Sequence, residues 1–121
     1  MQNPRNLIVW QKSQSLAVTI YRVCRRLARS DRSGLASQMR RAAQSIRANI
    51  TEGCSRSSNR DLARFLQIAI ASASELEDHI EFARDVDLLT PNDVAPLLNQ
   101  TVQVRRMLFA LLKRVQDAGG D

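Results

Sequence analysis

Cysteine and histidine are nearly missing from this 121-residue chain, which has only Cys24, Cys54 and His79. The two cysteines stand thirty residues apart, and no ligand pair falls at a zinc-site spacing. Free thiols packed in a core are the plain reading. Glycine and proline are also sparse, at four and three residues, so little interrupts a helix. Aromatic and β-branched residues are few beside Ala, Leu, Arg and Gln, which disfavours a sheet. No apolar run approaches the about 20 residues of a membrane span. The opening MQNPRNLIVWQK lacks a charged segment ahead of a long apolar one, so a cytoplasmic location and no membrane partner are expected.

What remains is helix-forming and basic. A hydrophobic content of 44% in one domain's length suits a single modest core. Eighteen basic residues, sixteen of them Arg, face twelve acidic ones, for a net charge of +6. The excess is lopsided: residues 1–64 carry thirteen basic and three acidic groups, residues 65–121 five and nine. Such asymmetry points to a nucleic-acid face or to pairing between the two halves.

Hydrophobic spacing of three and four predicts four helices, over about 9–29, 35–53, 59–87 and 91–116. In the first, Val9, Leu16, Ile20, Val23, Cys24 and Leu27 share an arc. In the second, Leu35, Met39, Ala42, Ile46, Ile50 and Gly53 form a narrow stripe whose small members admit a close neighbour. Ser58 with Asp61 reads as a cap for the third helix, and Thr90-Pro91-Asn92-Asp93 for the fourth. Short connections make consecutive helices antiparallel neighbours, so an all-α, antiparallel up-down-up-down four-helix bundle is expected.

The residues offer no reaction centre, and an enzyme is not expected. Glu52, Glu75, Glu77 and Asp78 suggest a carboxylate metal site, but bundle metal sites use a repeated Glu-x-x-His, and the Glu75 to His79 spacing is one residue off and unrepeated. Cys24 lies on the core side of its helix, and no histidine belongs to a base–nucleophile constellation. Neither a metal nor a cofactor is expected.

Three stretches resemble one known family. They are Leu7-Ile8-Val9-Trp10-Gln11-Lys12; Gln38 to Ala42 continuing through Ser45-Ile46-Arg47-Ala48-Asn49-Ile50-Thr51-Glu52-Gly53; and Phe65 to Ala69 with Ser72 to Glu77. The chain is similar to the bacterial four-helix proteins encoded within intervening sequences of 23S ribosomal RNA genes. Arg47 stands where that family often has Pro, and Thr51 where it often has Ala. The same fold is shared by the accessory variability determinant protein of diversity-generating retroelements, a pentameric ring associated with nucleic acid and a reverse transcriptase. The resemblance implies a homopentamer without established catalytic activity, and names RNA, DNA or a reverse transcriptase as candidate partners.

Three surface features remain. Arg22, Arg25, Arg26 and Arg29 fall on the non-core face of the first helix as a continuous ridge, with Arg40 and Arg47 on one flank of the second. The ridge reads as a solvated face, a phosphate-binding surface, or a partner for the acidic strip Glu77, Asp78, Glu81 and Asp85 of a neighbouring subunit. With Trp10 and Tyr21 the only polar-capable aromatics, no stacking platform is apparent, so any binding should be low in specificity. The other flank, Gln38, Arg41, Ser45, Asn49 and Glu52, reads as a polar network between helices, joined by Ser72 and Glu75, or as a ligand pocket. Finally, Ile68, Phe82, Val102, Met107 and Phe109 lie off the core stripes and form a candidate oligomer interface. Two functions compete: a homo-oligomeric accessory protein that binds nucleic acid, and a protein-interaction scaffold that does not.

Overall fold

Four long helices follow a short 3-10 turn, Pro4–Asn6: α1 (Ile8–Leu27), α2 (Leu35–Cys54), α3 (Asn59–Asp85) and α4 (Pro91–Asp117). The computed structural model describes residues 3–27, 31 and 33–119. The last two expected residues of helix 1, 28 and 29, lie outside these. Each helix packs against its two neighbours, α1 on α2, α2 on α3, α3 on α4 and α4 back on α1, which closes the antiparallel bundle.

The core is aliphatic. Leu16 and Ile20 of α1 meet Ile46 and Ile50 of α2, Leu76 and Ile80 of α3, and Val104 and Leu108 of α4, all essentially without solvent contact. Burying each such side chain contributes about 1.5–3 kcal/mol. Small residues set the α2–α3 approach. A Cβ on Gly53 would stand 2.9 Å from Leu62 Cδ1 and 3.1 Å from Phe65 Cβ, so a side chain here requires the Leu62 methyl to move and crowds the Phe65 stem.

The caps follow from residue chemistry. Ser58 Oγ accepts from Asp61 N at 3.1 Å, and Thr90 Oγ1 from Asp93 N at 3.2 Å, behind Pro91 in the first turn. Helix α2 starts differently, because Gly34 adopts a left-handed φ of 78° and has no side chain to cap with. Asp31 supplies the missing acceptor, its Oδ2 taking the Ala36 N–H at 2.6 Å. Helix α3 stops two residues short of the expected 87. Asp87 turns left-handed at φ 62°, and Leu88 N donates back to Ala83 O at 2.8 Å, a closure that tucks Leu89 into the core.

Candidate nucleic-acid interface

The α1 and α2 helices together hold seven basic residues and one carboxylate, Glu52. Glu52 sits in the last turn of α2 and pairs with Arg56, which lies outside these two helices. Among the described residues, Arg22, Arg25, Arg40, Arg41 and Arg47 have no carboxylate within ion-pair distance. All but the half-buried Arg47 are exposed.

Helical geometry gathers four of the five. On α1, Gln14, Tyr21 and Arg25 are spaced seven and four apart and share the side facing α2. Across the seam, Arg40, Gln44 and Arg47 recur at four and three along α2. Three adjoining hollows of about 290, 500 and 240 Å³ run along this seam, and Tyr21 and Arg40 line all three. Gln14, Gln44 and Arg47 border the first, Ser37, Arg41 and Gln44 the second, and Cys24, Arg25 and Asp31 the third. The Arg40 guanidinium lies 5.8 Å from the centroid of the Tyr21 ring. Tyr21 is 49% exposed.

Two titratable groups sit at the lower hollow. Burial alone would push the Asp31 carboxyl up, but hydrogen bonds from Ser33, Ala36 and Leu35 outweigh it and hold the group below its ordinary 3.8. Its Oδ1 also accepts the Ser33 hydroxyl at 2.7 Å, so the one acid of the seam is saturated by its own turn. Burial raises the Cys24 thiol from 9.0 to about 11, against the pull of Arg40, and the thiol donates to Ala36 O at 3.2 Å. It is an inert core group at neutral pH.

The expected ridge is therefore not one surface. Arg25 joins Arg40 and Arg47 on the seam, but Arg26, one residue and 100° further round, turns to α4 and stands 3.5 Å from Asp93. Arg22 is exposed with no ion-pair partner among the described residues, and Arg29 lies outside those residues. Arg41 joins the seam instead of the polar network assigned to it.

Only part of that network forms. Ser45 Oγ and Ser72 Oγ are 2.8 Å apart across α2 and α3, and Asn49 Nδ2 donates to Ser45 Oγ at 3.1 Å and to Ser45 O at 2.8 Å. Gln38 and Arg41 are exposed, Glu52 faces Arg56, and Glu75 lies 3.2 Å from His79 on the same helix. None of the four bonds to Ser45, Asn49 or Ser72. Among the described residues, no three His, Cys, Asp or Glu side chains come together as a metal site would require.

The apolar set also divides. Ile68, Phe82 and Phe109 are 40%, 54% and 51% exposed, whereas Met107 packs against the core and Val102 is half-buried. Val86, at 50% and four residues past Phe82, extends the Ile68–Phe82 stripe to the cap of α3. Glu77, placed in an acidic strip for a neighbouring subunit, is taken by Arg105 of the same chain at 2.9 and 3.2 Å.

Tyr21, weighed in the sequence only as one of two polar-capable aromatics, stands on this seam. Its signal was present, four residues before Arg25 and off the core arc, but its setting comes from α2. No helix among the described residues is long and apolar enough to cross a membrane.

The family model of the 23S rRNA-intervening sequence protein matches residues 5–110. The fold is similar to the crystal structure of a protein of unknown function from the S23 ribosomal protein family of Bacteroides thetaiotaomicron, with a TM-score of 0.83 and 26% identity over 88% of this chain and 99% of that one. No curated protein matches the sequence. The matched region takes in all three sequence motifs and reaches into all four helices, and the chain belongs to the 23S rRNA-intervening sequence protein family.

Proposed function

We propose that this protein is a non-enzymatic, cytoplasmic accessory protein that self-associates and holds RNA or DNA, with little sequence preference, on its α1–α2 face. The observation that carries the reading is the seam itself. Arg25, Arg40, Arg41 and Arg47 converge there, and among the described residues none of them has a carboxylate within ion-pair distance. Guanidinium forks suit phosphate oxygens, and a run of them along two helices suits a chain of phosphates. Four cations bind a polyanion weakly, and repetition around an oligomer converts weak contacts into useful avidity.

Filter binding of mixed-sequence RNA and DNA at about 50 and 200 mM salt tests this, because phosphate-driven affinity falls steeply over that range. Replacing Arg25, Arg40, Arg41 and Arg47 with Gln should leave the helical signal intact, weaken binding and flatten the log–log salt slope by about 3. A wild-type protein that binds nothing at low salt overturns the reading. In that case the exposed Ile68, Phe82 and Val86 stripe favours the alternative, a protein-interaction scaffold whose binding is insensitive to salt.

A further inference from the structure

Tyr21 is placed unlike any other ring in the protein. Trp10 is buried and spends its indole N–H on Thr51. Phe65 is half-buried, and its contacts with Arg56 and Arg64 lie at the far end of the bundle. Phe82 and Phe109 are exposed on the C-terminal helices, away from the seam. Tyr21 alone presents a half-exposed ring at the meeting point of three hollows and among four arginines.

From this placement we infer that the hollow around Tyr21 seats an unpaired base of a single-stranded nucleic acid, stacked on the phenol ring, while the flanking arginines hold the phosphates on either side. The inference rests on the proposed function and makes it specific, since a duplex would offer this face only its backbone. Every base has a π-face, so one ring confers strand preference without sequence preference. The central hollow, about 500 Å³, falls within the about 300–1,000 Å³ of small-ligand sites.

The rim suits a base edge. Gln44 Oε1 accepts from Arg47 Nε at 3.2 Å and Nη2 at 2.9 Å, which fixes the amide and leaves its N–H₂ as a donor beside the hollow. Ser37 and Gln14 add hydroxyl and amide groups along the same seam. Asp31, the one acid there, has its carboxylate oxygens occupied by Ser33 and Ala36 and makes no ion pair with the arginines.

The test uses full-length protein with mixed-sequence oligonucleotides carrying a central 2-aminopurine, as single strands and as duplexes, in RNA and DNA, at one low salt concentration. Tyr21→Ala should weaken single-strand binding about 5- to 150-fold, the effect of one stacked base, and abolish the fluorescence quench. Duplex affinity should not change, because no charge is removed, and Tyr21→Phe should bind single strands as the wild type does. Loss in either the RNA or the DNA strand supports stacking and names the strand. If Tyr21→Ala weakens single strands and duplexes equally, or neither, while the four-arginine variant still loses affinity, stacking is overturned and the basic-face reading stands. If the wild type binds no strand at all, both fall.

Discussion

The indole N–H of Trp10 donates to Thr51 Oγ1 at 2.9 Å, joining the opening motif on α1 to the end of the motif on α2. Thr51 passes the bond on by donating to Arg47 O at 3.1 Å, within its own helix. Thr51→Ala should strand a largely buried donor and lower unfolding stability by about 1 kcal/mol. Urea unfolding reads this as a lower midpoint at an unchanged slope. An unchanged midpoint would mean that water takes the hydroxyl's place.

Gly53 lies against Leu62 and Phe65 of α3. Helix propensity alone favours Ala there by about 1 kcal/mol. The contact to Leu62 at 2.9 Å should reverse that sign, so that Gly53→Ala destabilises by about 1–3 kcal/mol. A gain in melting temperature would show that the two helices part easily.

Arg105 grips Glu77 with two nitrogens across α3 and α4, and both side chains are less than one-third exposed, at 28% and 17%. A two-pronged, partly shielded pair should couple by about 1 kcal/mol in a double-mutant cycle of Arg105→Ala and Glu77→Ala. Strict additivity of the two losses would show that each side chain acts only through its own packing.

Asp31 carries a pH dependence of known sign. Its carboxyl is more acidic in the folded chain than its ordinary 3.8, so its contribution is fully present above that value and fades as pH falls through the lower folded value. Asp31→Asn should lower stability at pH 7 and make the loss below pH 3.8 shallower than in the wild type. Parallel acid unfolding curves for the two proteins would contradict the capping role.

Self-association is read from mass. Sedimentation equilibrium should give about five times the 13.6 kDa subunit, as the family resemblance leads one to expect, and Phe82→Glu should lower it. A wild-type monomer at micromolar concentration removes the ring and the avidity built on it.

The helices, their caps and the core stripes were legible because they depend on spacing within one segment. Val9, Leu16 and Ile20 announce a buried face without reference to a neighbour. The site was less legible because angular position on one helix does not say which neighbour stands on each side. Arg25 and Arg26 are adjacent on α1, yet one meets the α2 seam and the other Asp93 of α4. The same ambiguity sent Arg41 to a polar network and left Tyr21 without a role. The last turn of α3 was set by a different rule, since a left-handed Asp87 is a choice of backbone that hydrophobic spacing does not encode.

With seven basic residues and one acid on its first two helices against seven and eight on its last two, the subunit carries its positive excess on one side. Near a polyanion it experiences a torque that turns α1 and α2 forward before contact. Salt added to the medium should then act first on how quickly an encounter becomes productive, and only later on how long the partners stay together.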